Sequence, residues 1–174
     1  MTVVKSELLI VSSSVRGAAL PGGGAADANH VRKYSDSWAS GSGTSQTDLA
    51  WSASRSLPVG TSTDDLQSLT QLDADGNTLS AGLNFANIKS VLIKNTLAPG
   101  ATGTLRVGNA AANPWDGTGC LFRTATGDSD IEPGGSLLWT NPTGGAVAAG
   151  AKDFMYEAIG GTVTYEVQLK GDSV

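Results

Sequence analysis

Residues 162–170 read TVTYEVQLK and alternate between two kinds of side chain. Polar or charged residues separate the apolar ones, which are Val163, Tyr165, Val167 and Leu169. Successive side chains of a β-strand point to opposite faces of a sheet, whereas a helix needs apolar spacings of three and four. This period of two therefore predicts a strand with one face on a core and the other in solvent.

Other segments also indicate strands separated by turns. Residues 87–95, NIKSVLIKN, predict a buried central strand, and GTLRVGN predicts one with Leu105 and Val107 inward. Further strands are expected in DLAWSASRSL, KDFMYEAIGG and IEPGGSLLWTNP, the last after a turn at Pro133, Gly134 and Gly135. DDLQSLTQL fits either a strand or a short helix, and we favour the strand.

The spacing of these segments predicts an all-β fold. Seven or eight short strands with a turn signal every 8–12 residues or so are typical of an antiparallel sandwich or barrel. Charged residues make up 16% of the chain, against about 25% in ordinary proteins, which argues against long solvent-facing helices. We expect an antiparallel β-sandwich, and no βαβ unit is recognisable.

The first part of the chain differs in composition from the rest. Residues 1–47 contain ELLIV followed by several Gly/Ser clusters, including three consecutive glycines, and can bury little apolar surface. The sequence predicts two parts, an extended Gly-rich N-terminal arm over 1–47 and a sandwich domain over 48–174. The arm is either a flexible tail or a segment that orders against a neighbouring subunit.

The negative net charge and the shortness of the apolar runs limit the kinds of partner that the chain can bind. The formal net charge is −5, which does not favour nucleic-acid binding. No apolar run reaches 18 residues, so no membrane span is expected. Lys5, Ser6 and Glu7 break the apolar stretch near the start, which argues against a signal peptide. We expect synthesis in the cytoplasm.

The residues that most often carry catalysis are scarce. His30 is the single histidine and lies in the Gly-rich segment, where a catalytic base would lack a rigid setting. Cys120 is the single cysteine, forms no intrachain disulfide and is interpreted as a small core residue. Together they cannot supply a zinc site, and no phosphate-binding glycine motif is present. We predict no catalytic residue, no metal, no cofactor and no enzyme activity, although paired carboxylates of a hydrolase could still meet in the fold.

The stretch DADGN places Asp73, Asp75 and Asn77 two residues apart, as in a calcium loop. An EF-hand needs glycine at its sixth position and glutamate at its twelfth, whereas Gly76 is fourth and Asn84 is twelfth. Asp-Gly is a favoured central pair of a type I′ hairpin turn. We therefore predict a turn between two strands.

Four tryptophans leave a binding function open: Trp38, Trp51, Trp115 and Trp139. Exposed aromatics on a sandwich can stack on sugar rings, which makes a carbohydrate-binding module the alternative. Aromatics more often fill the core or subunit contacts, and we favour that interpretation. Trp115 in NPWDG is the best candidate for an exposed aromatic.

Between Trp51 and Gly171, about two thirds of the chain, the features DDLQSLTQL, DADGNT, IKSVLIKNT, VGNAAANPW and IEPGGSLL follow one another in this order. This order resembles that of small jelly-roll structural proteins of tailed bacteriophages. The resemblance implies a jelly-roll-like sandwich and a non-enzymatic virion protein, most specifically a capsid cement or decoration protein. A tail or fibre component is the alternative within the virion.

That resemblance also implies partners and location. The partners would be the major capsid protein or other virion proteins, and the chain would be a homo-oligomer, for which we expect a trimer. The protein would be made in the host cytoplasm and reside in the virion. The N-terminal arm lies outside the resemblance.

Overall fold

The computed structural model describes residues 4–16, 27–44, 46–72, 78–108 and 112–174. These residues contain twelve β-strands and no helix. The strands are β1 (Val4–Arg16), β2 (Asp27–Trp38), β3 (Leu49–Leu57), β4 (Gly60–Asp65), β5 (Leu69–Leu72), β6 (Thr78–Leu83), β7 (Phe85–Asn95), β8 (Thr104–Gly108), β9 (Asp128–Ile131), β10 (Ser136–Ala146), β11 (Asp153–Ile159) and β12 (Val163–Ser173). The predicted all-β antiparallel fold is confirmed.

The chain forms two compact units, Met1–Ser40 and Gly41–Val174. In the first, β1 and β2 form a two-stranded antiparallel sheet with Val4 opposite Trp38 and Arg16 opposite Asp27. This sheet includes the ELLIV segment, for which the sequence indicated an extended arm. Residues 41–47, assigned to the arm from the sequence, lie within the second unit.

The second unit is built on two four-stranded antiparallel sheets. The first has the order β10-β7-β12-β3 and the second β4-β11-β8-β9, while β5 and β6 pair separately. If the eight strands of the two large sheets are counted in chain order, the first pairs with the last, the second with the seventh, the third with the sixth and the fourth with the fifth. The two halves of this part of the chain therefore pair like the two arms of one long hairpin, and successive strand pairs alternate between the two sheets.

A single apolar core joins the two large sheets. The four alternating residues of TVTYEVQLK are all buried, as predicted, and β7 lies in the interior of its sheet. On the opposite sheet Leu105 and Val107 are fully buried. The Tyr156 and Tyr165 rings, from different sheets, have centroids 5.0 Å apart. This contact identifies the sandwich interface.

The segment DDLQSLTQL is two strands rather than one. β4 ends at Asp65, a turn is closed by the Ser68 amide donating to the Asp65 carbonyl at 3.0 Å, and β5 begins at Leu69. Leu66 within the turn and Leu69 at the start of β5 are buried, whereas Leu72 is exposed, so the apolar spacing that suggested a short helix belongs to a bent chain with two core contacts.

The strands flanking DADGN pair as a hairpin requires. Leu72 of β5 lies opposite Thr78 of β6, and the two strands are antiparallel. Residues 73–77 lie outside the described residues, so the turn type remains a prediction.

Candidate functional site

Cys120 is a core residue, as predicted from its apolar neighbours. Its side chain is buried, and its thiol donates to the Asp116 carbonyl at 3.3 Å. Burial, with a smaller effect of the Asp116 carboxylate, raises the pKa of the thiol to about 11. The thiol is therefore protonated at neutral pH and is a poor nucleophile.

Trp115, the best candidate for an exposed aromatic, is buried. Its side chain is 2% exposed, its indole N–H donates to the Ala146 carbonyl at 3.1 Å, and its ring lies edge-on to Trp139 with centroids 5.6 Å apart. Gly and Pro around it indicated a loop, and it does lie outside the strands, but the loop folds onto the core. Trp51 is buried too, which confirms the core interpretation for both residues.

Trp139 is partly buried against the core. The Trp38 side chain, like that of His30, lies outside what the structure describes, although the backbone of His30 is paired with Ser12. Within the described part of the chain, no group of three or more His, Cys, Asp or Glu side chains is placed to hold a metal ion.

A buried ion pair that the sequence did not indicate ties residues 41–48 to the sandwich. Lys89 of β7 is 1% exposed, and its ammonium group lies 2.6 Å from Asp172 of β12. The same ammonium donates to the carbonyls of Gly43 at 2.8 Å and Gln46 at 2.7 Å. All three ammonium hydrogens are therefore used, which is the condition for burying a lysine without large cost.

The backbone around this pair is irregular. The pairing of β12 with β7 shifts register at Lys170/Gly171. A Cβ on Gly171 would lie 1.9 Å from the Asn87 carbonyl oxygen, so only glycine permits this approach of the strands. The irregularity lets successive residues of β7 be buried, including Ile88 and Lys89, which strict alternation would place on opposite faces.

A second polar cluster lies between the two sheets. The Arg55 guanidinium of β3 donates to the Asp64 carboxylate of β4 at 2.7 Å, and its carbon lies 5.3 Å from the centre of the Trp51 ring. Burial, and next the Asp64 charge, raise the pKa of the fully buried Tyr156 phenol well above its usual value. The Arg55–Asp64 ion pair joins β3 to β4, and so links an outer strand of each large sheet.

The outer face of the second large sheet carries a group of acids around one cation. Arg106 donates from Nε to Asp130 at 2.8 Å, and lies 3.6 Å from Glu157 and 3.8 Å from Asp128. These side chains are partly exposed, so salt and solvent weaken their interactions. The group holds β8, β9 and β11 together and leaves an excess of negative charge.

A groove of about 660 Å³ runs along β3, the outer strand of the first large sheet. Residues 52–55, 70–72 and 166–168 line it. Its side chains are mostly small or polar, including the exposed Ser52, Ser54, Glu166 and Gln168. Leu72 is its exposed apolar residue, 48% accessible. The groove is suited to an extended polypeptide rather than to a compact apolar ligand.

Comparison with known family models and with curated proteins gave no match, so the inference of function depends on residues and geometry. In the described residues there is no helix long and apolar enough to cross a membrane. Three features of the described residues are candidates for contacts with other molecules. They are the groove along β3, the two-stranded sheet of β1 and β2, and the acidic outer face of the second large sheet.

Proposed function

We propose that this chain is a non-enzymatic structural protein of a tailed-bacteriophage virion, most specifically a capsid cement or decoration protein with a jelly-roll sandwich. The observation that carries the proposal is the strand pairing of first with last, second with seventh, third with sixth and fourth with fifth. A jelly roll of eight strands and two Greek keys has such a pairing, and viral capsid proteins are among the users of that fold.

The distribution of polar groups supports a protein that works by packing against other protein subunits. The most deeply buried charges, Lys89, Asp172 and Asp64, are engaged in bonds that tie strands or the 41–48 segment together. The outward residues of β3 and of the regular part of β12 are mainly Ser, Thr, Gln and Glu. Such a surface suits close packing against many equivalent neighbours without a cofactor.

The proposed partners are the major capsid protein or other virion proteins, with the chain acting as a homo-oligomer, for which a trimer is the working assignment. The site of action is the virion, after synthesis in the host cytoplasm. A two-stranded sheet alone is marginally stable in water, so the β1–β2 hairpin would gain stability from a partner surface in the virion. That need supports the hairpin as a contact element.

The test is cosedimentation of the purified chain with particles assembled from the major capsid protein of the same genome. We expect saturable binding that weakens when residues 1–40 are deleted. The deletion ends there because Gly43 and Gln46 bind Lys89 and must be kept. A chain that never sediments with the particles would refute the capsid role, and unchanged binding without residues 1–40 would refute the role of the hairpin alone.

The alternatives are a tail or fibre component and a carbohydrate-binding module. The second alternative depended on exposed tryptophans, and both Trp51 and Trp115 are buried. A glycan array with the full chain decides this point, since specific glycan binding would favour the sugar-binding alternative.

A further inference from the structure

The sandwich has four outer strands, and β3 has the most regular edge among them. β10 contains Pro142 and shifts register against β7 between Thr140 and Gly145. β4 has six residues and β9 has four. β3 has nine, pairs with β12 without a register shift, and contains no proline. It therefore lacks the bulge and the proline by which edge strands are usually protected from pairing with another chain.

One side chain of β5, that of Gln71, closes part of this edge. Gln71 accepts from the Ser52 amide at 2.9 Å and donates to the Ser52 carbonyl at 3.0 Å. A neighbouring strand would make the same two bonds, so the Ser52 backbone groups point away from β12. In a regular strand the groups of Ser54 and Ser56 point the same way, and among the described residues they have no backbone partner. Gln71 thus closes one of three successive outward positions and leaves two open.

The residues of β3 are self-complementary in one antiparallel register. If Ser54 lies opposite Ser54 of a second copy, Ser52 lies opposite Ser56, and these three outward positions all form hydrogen-bonded pairs. Arg55, the only charged residue of β3, then lies opposite Ala53, so no like charges are opposed. This register would join the first large sheets of the two copies edge to edge.

That register requires Ser52, whose outward groups are bonded to Gln71. With Ser52 taken, the register that uses both open positions pairs Ser54 with Ser56 of the second copy and places the two Arg55 residues opposite each other. Like charges directly opposite across a strand pair are destabilising. The contact between Gln71 and Ser52 therefore excludes the favourable register and leaves an unfavourable one.

The strand that carries Gln71 is firmly fixed at one end only. Leu69 is buried in the core, and the Thr70 carbonyl accepts from the Trp51 indole N–H at 2.9 Å. On either side of Gln71 the pairing of β5 with β6 shifts register, and Leu72 is 48% exposed. Beyond Thr70, the hydrogen bonds that join β5 to β3 in the described part of the chain are those of Gln71. Loss of this one side chain therefore frees the outer end of β5 from the edge.

We propose that Gln71 is an autoinhibitory contact, which keeps the β3 edge from pairing with the β3 edge of a second copy of the chain. Without the Gln71 amide, Ser52 is free, and the first large sheets of two copies can join into one continuous sheet. The inference goes beyond the proposed function and does not depend on it, because both edges belong to the isolated chain.

The main test is Gln71→Ala in the full chain, with Gln168→Ala as the matched control. Gln168 is an exposed glutamine of β12 that lines the same groove. We expect self-association, measured by analytical ultracentrifugation, to be at least about tenfold tighter for Gln71→Ala than for the wild type, and unchanged for Gln168→Ala. Circular dichroism and urea unfolding verify that both variants fold.

A cysteine at position 54 reports the register of the contact. In a hydrogen-bonded antiparallel pair the two Cα atoms lie about 5.5 Å apart, which is within the range of a disulfide. Under mild oxidation we expect Ser54→Cys combined with Gln71→Ala to form an intermolecular disulfide, and Ser54→Cys alone to form little. Ser56→Cys with Gln71→Ala is the control, because Ser56 lies opposite Ser52 in this register. Cys120 is buried and should not compete.

A further variant, Gln71→Glu, keeps the acceptor for the Ser52 amide but loses the donor to the Ser52 carbonyl. It should associate more tightly than the wild type and less tightly than Gln71→Ala, and it tests the contact even if the alanine variant does not fold. In dilute solution, the Ser52 amide should exchange its hydrogen faster in both variants than in the wild type.

Equal self-association of the wild type and both Gln71 variants would overturn the proposal. So would a Ser52 amide that exchanges as fast in the wild type as in the variants, because Gln71 would then not close the edge. Cross-linking of Ser56→Cys as strong as that of Ser54→Cys would contradict the proposed pairing of the two β3 strands.

Discussion

Replacing Lys89 by Met tests the anchoring of residues 41–48 to the sandwich. The substitution leaves Asp172 as a buried, unpaired carboxylate and removes the donor to the Gly43 and Gln46 carbonyls. Breaking one member of a buried ion pair costs about 3–5 kcal/mol, a third or more of the stability of many domains, which is about 5–15 kcal/mol. We therefore expect a large fall in the unfolding free energy of Lys89→Met.

The double variant Lys89→Met with Asp172→Leu separates the charge effect from the loss of the two carbonyl contacts. Without a stranded charge, the remaining cost is about 1 kcal/mol for each carbonyl that loses its donor. The double variant should therefore be about 1–3 kcal/mol more stable than Lys89→Met alone, so the two substitutions are not additive. Lys94→Met on the same strand is the control, because Lys94 is exposed and should change stability by less than about 0.5 kcal/mol.

Urea unfolding followed by tryptophan fluorescence measures these free energies, and hydrogen exchange of residues 41–48 reports local release. A loss of less than about 1 kcal/mol in Lys89→Met, well below the cost expected for a stranded buried charge, would show that Lys89 and Asp172 do not form a buried ion pair. Strictly additive effects in the double variant would also contradict the ion pair.

Three further predictions concern buried side chains. The folded state keeps the Tyr156 phenol protonated, whereas the unfolded state ionises this phenol near pH 10. The contribution of the phenol to stability is therefore present below that pH and is lost as the pH rises above it. Tyr156→Phe should show a shallower alkaline loss of stability than the wild type; an identical slope would argue against burial of a protonated phenol. Cys120 should react with iodoacetamide at pH 8 roughly a hundredfold more slowly than a free cysteine, because a pKa of about 11 leaves little thiolate, and rapid labelling of folded protein would contradict this. Trp115→Ala should cost about 3–5 kcal/mol in urea unfolding, whereas an exposed tryptophan would cost almost nothing.

The strands with a clear period of two were predictable because one face of each packs on the core. TVTYEVQLK gave the inward set of β12, and Leu105 and Val107 gave that of β8. The turn at Gly134 was also predictable, since its φ of +79° is a conformation that glycine adopts without strain. The break of DDLQSLTQL into two strands was not predictable, because its turn contains the buried Leu66 and has neither glycine nor proline.

The buried polar contacts were beyond prediction. Lys89 and Asp172 are 83 residues apart in the chain, and the lysine stands in a strand where alternation would place it in solvent. The burial of Trp115 could not be told from its Gly and Pro neighbours, which predict a loop but do not reveal that the loop folds inward. The open edge of β3 depends on strand order, which no local pattern encodes. The candidate contact surfaces therefore required the three-dimensional structure.

A cryo-EM map of the virion tests the central claim most directly. The account predicts density for an eight-stranded sandwich, with β3 beside β12 and β4 beside β11, at repeated positions on the capsid surface. Absence of this density from the head, or its presence only in the tail, would contradict the assignment as a capsid cement or decoration protein.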